Sequence, residues 1–225
     1  VISNLTLQIA KSVFPEATSY IEGLKNIDKK SLKVLDDTVV KIAKGEIRNV
    51  WFTGSIGTGK TTRAFYIALS VFDKLIHTDK RYAENVEFIE NADSESDRMA
   101  ASIEKNYLIN EIRRVMANNF MVPLNIPKLF IDIETHRFEA EFKIPSPGIA
   151  ILDDLGWEVA TPYTAQFFGA WIEERYGAGK QNIITTNFSI EALAGKSGFE
   201  KTVDRLIEKS KTVVIRTPNV NFRHL

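Results

Sequence analysis

The sequence has no cysteine, which excludes a disulfide scaffold, a thiolate-held zinc or iron–sulfur centre and a cysteine nucleophile. It also lacks an excess of either charge. Against 29 Lys+Arg stand 29 Asp+Glu over 225 residues, so no acidic or basic tail is there to hold a partner by bulk charge. No apolar run approaches the roughly 18–20 residues needed to cross a bilayer. At the N-terminus, Asn4, Gln8 and Lys11 interrupt the apolar residues where a signal-like block would be continuous. These absences predict a soluble, cytoplasmic protein with no membrane partner. The chain begins at Val1 and has no Met before Met99, so it is expected to be a processed or trimmed form, which leaves room for a further N-terminal module. What is present is ample core material, 44% hydrophobic and 10% aromatic, fitting one large globular domain or one with a short accessory segment.

Apolar spacing predicts the elements. Residues 1–45 read as a helical lead-in, with Ile21, Leu24 and Ile27, then Leu32, Leu35, Val39 and Ile42 at spacings of three and four, ending at Gly45. Asn49–Thr53 reads as a strand, Gly54–Gly59 as a glycine loop, and the next stretch as a helix with Ala64, Ala68, Val71, Phe72 and Leu75 on one face. Val86–Ile89 is expected to be a second strand. Ser96–Asn118 is expected to be a long helix turning Met99, Ile103, Tyr107, Ile112 and Val115 to the core. A buried strand within 147–154 ends in two carboxylates. It is followed by a helix over Tyr163–Tyr176, with Tyr163, Phe167, Ala170 and Trp171 in register, a strand over Asn182–Asn187, a helix over Glu200–Glu208 and a strand over Thr212–Arg216. Strands alternating with helices imply an α/β fold with a mostly parallel sheet flanked by helices. One segment departs from the alternation: residues 129–144 alternate apolar with polar on both sides of Thr135-His136-Arg137, which predicts a β-hairpin insertion. The chain is thus divided into a helical segment, 1–45, and a domain over 46–225 carrying that insertion.

The strongest chemical signal is Gly54-Ser55-Ile56-Gly57-Thr58-Gly59-Lys60-Thr61, followed by Thr62, which completes the G-x-x-x-x-G-K-[ST] pattern between a strand and a helix. Glycines let backbone N–H groups curl around a polyphosphate, and the helix that starts here aims its positive end at the same anion. Lys60 should reach the β and γ phosphates of ATP, and Thr61 should offer its hydroxyl to Mg²⁺. Asp153 is the candidate second metal ligand, because ligands of open α/β sheets bind at the carboxyl edge. Asp154 is the candidate to activate water, with Glu158 as a rival for that role. The plainer alternative, that two acids simply end a strand and face solvent, has less weight with the phosphate loop upstream.

Together GSIGTGKTT (54–62), ILDDLGWE (151–158), NIITTN (182–187) and VDRLIE (203–208) resemble the DnaC/DnaI bacterial helicase loaders and the related IstB transposition helper ATPases of the AAA+ class. The resemblance covers about residues 45–225 and does not extend well over the first 45 residues or the 120–147 region. It implies a P-loop NTPase with an AAA+ core that hydrolyses ATP as a switch while loading a hexameric replicative helicase onto single-stranded DNA. An IstB-like helper of DNA transposition is the alternative. It further implies that Asn187 positions the attacking water and that Arg205 reaches into a neighbouring subunit's ATP site, which requires self-association. Arg223 is placed as a C-terminal arginine sensing phosphate in its own subunit. Read without the resemblance, Asn187 is equally a turn or helix-cap residue. Arg205 lies off the apolar stripe of Phe199, Val203, Leu206 and Ile207, as a solvated surface arginine would.

Asp154 stands where many AAA+ ATPases have a glutamate; the side chain one methylene shorter predicts slow turnover, suiting a switch. Support for DNA contact in the residues themselves is thin. Lys25, Lys29 and Lys30, Arg113 and Arg114, and Lys196, Lys201, Arg205, Lys209 and Lys211 are each balanced by nearby acids. Two other classes stand beside the resemblance: a small-molecule P-loop kinase, which would be expected to carry an arginine-rich lid and an acceptor pocket and against which the Thr-Thr-Asn strand following Asp-Asp-Leu-Gly argues, and a protein that binds ATP without turning it over.

Overall fold

The structure, a computed structural model, describes residues 2–91, 98–139, 141–158, 160–196, 199–208 and 210–217. Its centre is a parallel sheet of five strands: β1 (Asn49–Thr53), β2 (Met121–Asn125), β3 (Ile149–Asp153), β4 (Gln181–Thr186) and β5 (Thr212–Arg216), in the order β2-β3-β4-β1-β5. The strand ends are in step. Thr53 pairs with Thr186 and with Arg216, and Asn125 with Asp153, so the loops leaving β1, β3 and β4 share one edge.

Period-two alternation divides the core into two layers. Val50, Phe52, Ile149, Ile151 and Ile183 face one side, while Trp51, Ala150, Leu152 and Ile184 face the other. The first face is covered by α4 (Lys60–Thr78) and by three N-terminal helices, α1 (Asn4–Val13), α2 (Thr18–Gly23) and α3 (Lys29–Ala43). Ser3 and Asp28 cap α1 and α3 by accepting from Thr6 N–H and Ser31 N–H. Leu5, Ile9, Leu35, Val39 and Ile42 are buried in one core with α4, so α4 is covered nearly all round and buries Phe65, Ile67 and Leu69 as well as Ala64, Ala68, Val71 and Phe72 of the predicted face, with Leu75 only partly buried. Full burial of each such side chain stabilises by about 1.5–3 kcal/mol. The opposite face is covered by α7 (Ile126–Thr135), α8 (Pro162–Gly177), α9 (Ile190–Ala194) and α10 (Glu200–Leu206), meeting through Phe130, Phe168 and Phe199. Among the described residues no helix is long and apolar enough to cross a membrane.

Four expectations require correction. Residues 129–144 are not a hairpin: Ile126–Thr135 is helical, and no strand occurs among the described residues of 136–144. Asn125 caps Lys128 N–H and Pro127 sits in the first turn. The structure buries Leu129, Phe130 and Ile133 and exposes Ile131, the helical rather than the alternating choice. Val86–Ile89 is likewise part of a helix, α5 (Lys80–Asn91), because Val86 and Ile89, three apart, both turn to the core.

The strand taking that place in the sheet is β2, which contains Pro123; a residue without an N–H is tolerated because β2 is an edge strand. The long helix α6 spans Arg98–Arg114 and widens into a π-type coil at Val115–Phe120. It buries Leu108, Ile112 and Met116, while Ile103 and Tyr107 are exposed. The residues 92–97 that precede it and the Met99 side chain lie outside the described residues. In α8 the buried register falls on Thr164, Phe168, Trp171 and Ile172, one position from the predicted set, and Ala170 is exposed.

Candidate nucleotide site

The loop between β1 and α4 follows from its glycines. Gly54 has φ +147°, and a Cβ there would lie 2.2 Å from Thr217 Oγ1, so no other residue lets the loop pass the end of β5 this closely. Thr58 turns inward, its hydroxyl bonded to Ser55 O at 2.9 Å and paired with Thr217 Oγ1 at 2.7 Å. Arg63, buried beneath the loop, donates to Thr58 O at 2.7 Å and lies 3.7 Å from the Asp28 carboxylate. The loop is therefore braced by β5 and α4, not left to fluctuate by itself. Helix α4 starts at Lys60 after Gly59, whose missing side chain offers no cap. Its first turn thus presents backbone donors and a positive dipole end.

A cleft of about 390 Å³ opens above that turn, lined by Ile56, Gly57, Thr58, Gly59, Lys60, Thr61 and Thr62 and, from other elements, by Tyr20, Pro127, Asp154, Trp157 and Asn187. Lys60 is mostly buried, and its Nζ donates to Gly54 O at 2.9 Å, Ser55 O at 2.8 Å and Asn187 Oδ1 at 2.6 Å. Thr61 Oγ1 donates to Asp153 Oδ1 at 2.7 Å, and Thr185 Oγ1 donates to the same oxygen at 2.6 Å. Burial raises the Asp153 pKa and Asp154 adds repulsion; the two threonine hydrogen bonds and the Lys60 charge pull it the other way. A carboxylate half-withdrawn from water beside a hydroxyl is a hard-oxygen donor pair of the kind Mg²⁺ takes, and a bound cation would hold Asp153 ionised. The donor set therefore fits Mg²⁺ with a polyphosphate.

Asp154 has φ +59°, a left-handed backbone that aspartate tolerates better than most residues. This bend leads the chain off β3, and Asp154 lines the cleft with Lys60 and Asn187. Glu158, the rival, is not in the cleft lining. It is buried, its Oε2 accepts from Gly156 N–H at 2.8 Å, and its Oε1 has no hydrogen-bond partner among the described residues. Burial raises its pKa, and Lys196 partly counters that. Gly156 is fixed by crowding, since at φ +105° its Cβ would lie 2.5 Å from Leu193 Cδ2. The predicted Gly54–Thr62, Asp153, Asp154 and Asn187 thus gather at one edge of the sheet.

Arg205 does not join them. Its carbonyl accepts from Asn49 Nδ2 at 3.4 Å, and that of Leu206 from Trp51 Nε1 at 2.8 Å. Asn49 opens β1 and the loop closes it, which puts about 13 Å of strand between them at ~3.3 Å per residue. The guanidinium is exposed; Nε donates to Glu173 Oε1 at 2.7 Å and the group lies 4.9 Å above the Tyr176 ring. The Glu173 hydrogen bond raises its pKa. Arg223 lies outside the described residues. Sequence reasoning missed Tyr20, Pro127 and Trp157 in the cleft lining, and Thr185. Thr185 had a signal in its place in Thr-Thr-Asn, and Trp157 in its place in ILDDLGWE; Tyr20 and Pro127 had none.

No family profile and no characterised protein matches the sequence. Solved structures do. The crystal structure of the DnaC helicase loader is 19% identical, with TM-score 0.53, covering 84% of this chain and 89% of its own. A candidate primosome component from Streptococcus pyogenes serotype M3 is 15% identical, with TM-score 0.54, covering 91% of this chain and 90% of its own. The chain therefore has the α/β P-loop NTPase fold of the DnaC helicase-loader structure, extending over most of its length.

Proposed function

We propose that the protein is an ATP- and Mg²⁺-dependent ATPase of the DnaC/DnaI type within the AAA+ class, which loads a hexameric replicative helicase onto single-stranded DNA and uses hydrolysis as a switch. The observation that carries the reading is the meeting of Lys60, Thr61, Asp153 and Asn187 through hydrogen bonds of 2.6–2.7 Å, with Asp154 on the same cleft wall.

Lys60 leaves the Gly54 and Ser55 carbonyls to neutralise the terminal phosphates of ATP. Thr61 and Asp153 would hold Mg²⁺, which would supply charge neutralisation for the phosphates. Asp154 takes a proton from the attacking water while Asn187 holds that water in line. The water oxygen bonds to the terminal phosphorus as the bond from the bridging oxygen to that phosphorus breaks, and ADP and phosphate are released. Arg205, directed away from its own cleft, supplies positive charge to a neighbour's.

Phosphate release with Mg²⁺, its loss in Lys60→Ala, and ATP-dependent delivery of the host's hexameric helicase onto a single-stranded circle would support the reading. Mg·ATP binding with no helicase bound, and capture of a transposase instead, would point to the IstB-like alternative.

A further inference from the structure

Thr185 is fully buried on β4 and makes contacts that the roles above do not use. Its hydroxyl donates to Asp153 Oδ1 at 2.6 Å and accepts from the Asp154 N–H at 3.0 Å. We propose that Thr185 is a positioning residue that locks the metal-binding and water-activating carboxylates into one fixed relation. The proposal rests on the Mg·ATP reading above and deepens it.

The backbone makes such a lock necessary. Register pairing between β3 and β4 runs only as far as Leu152 with Ile184, and Asp154 then turns to φ +59°. Its N–H points off the ladder just where the two acids must be aimed. Thr185 takes over from the missing backbone partner through its side chain, and its own carbonyl accepts from Leu155 N–H at 2.9 Å one step later.

A hydroxyl has one proton and two lone pairs, so a single threonine can donate to one acid and accept from the backbone of the next. Valine, of the same shape, can do neither; serine can do both. Thr61, from α4, donates to the same Asp153 oxygen at 2.7 Å, so that carboxylate is held between the phosphate-loop helix and β4. The adjacent Thr186, on the other face of β4, bonds Leu155 O and Phe188 N–H and reaches neither acid.

The test compares Thr185→Val with Thr185→Ser. Calorimetric titration of a non-hydrolysable ATP analogue at a series of Mg²⁺ concentrations is read beside steady-state turnover. Valine should raise the Mg²⁺ half-saturation about 10-fold and lower kcat by a similar factor, as removing a group that orients a metal ligand does. Binding of the metal-free nucleotide should be unchanged. Serine should restore both values to within about 3-fold, given that it keeps the donor and acceptor. A valine variant matching wild type, or a serine variant as impaired as valine, would overturn the proposal.

Should the valine protein not fold, the wild type still decides. Its Asp154 amide, bonded to a buried hydroxyl, should exchange slowly with solvent in the nucleotide-free protein, and fast exchange would overturn the assignment. Wild-type protein that binds the analogue without any Mg²⁺ dependence would remove the parent reading and this one with it. Loss of the Thr185 effect alone removes only this one.

Discussion

Asn187 accepts a hydrogen bond from the Lys60 ammonium at 2.6 Å across 127 positions of sequence. This gives the buried lysine a side-chain partner besides the Gly54 and Ser55 carbonyls. On the proposed reading, Lys60 moves onto phosphate and the Asn187 amide then holds the attacking water.

Replacing Asn187 with alanine should therefore lower kcat about 10- to 100-fold, the range for losing one oriented polar group at a reacting centre. Affinity for Mg·ATP should stay within a few-fold. Calorimetry and phosphate release on the same preparation separate the two effects, and unchanged turnover would leave Asn187 only as the lysine's resting partner.

The two candidate bases separate cleanly. Asp154→Asn should lower turnover about 100-fold with nucleotide binding retained, as expected when a general base is removed. Glu158→Gln should keep turnover and stabilise the fold by about 1 kcal/mol at neutral pH, because it removes a buried charge whose Oε1 has no hydrogen-bond partner among the described residues. Since burial raises the Glu158 pKa above 4.5, wild type is penalised above the folded value and relieved as pH falls through it. The advantage of the glutamine variant should shrink over that fall and vanish near pH 4. Denaturant melts of both proteins across pH 4–8 measure it.

Arg205 offers a test of subunit sharing. Specific ATPase activity should rise with protein concentration through a dilution series, and Arg205→Ala should flatten the curve without weakening nucleotide binding. Its contact with Glu173 is exposed on both sides, where water and salt screen the pair and hold the arginine only weakly. A flat wild-type curve counts against a shared site.

Gly156→Ala should destabilise the protein by about 3 kcal/mol, since the new Cβ collides with Leu193 and Phe188 in a left-handed backbone. Gly45→Ala has the same backbone problem at φ +69° but meets nothing within 4 Å, and should cost only about 1 kcal/mol. Unfolding free energies of the pair separate backbone strain from collision.

Part of this molecule was legible in its residues. β1 at Asn49–Thr53 and β5 at Thr212–Arg216 lie where the apolar runs predict them, and the loop from Gly54 to Lys60 where its glycines do. Val86–Ile89 was misread because four apolar-rich residues fit strand and helix alike; burial of Val86 and Ile89 against the core decides for helix. β2 was missed because Pro123 argues against a strand, and only its edge position makes the proline harmless. The 129–144 alternation failed for the reason that Val86–Ile89 did. A short apolar segment shows its period only once something packs against one side, and here the sheet and α8 bury Phe130 while leaving Ile131 in water.

The amino-acid sequence by itself determined the phosphate loop and the acidic pair, because those groups act through local backbone geometry and through residue types that no neighbour can supply. Tertiary structure decided which of these side chains meet. It placed β4 between β1 and β3, set Asn187 against Lys60 and Thr185 against both acids, and turned Glu158 out of the cleft. Strand order is settled by how two apolar layers close over one sheet, a property of the whole chain that no single segment contains.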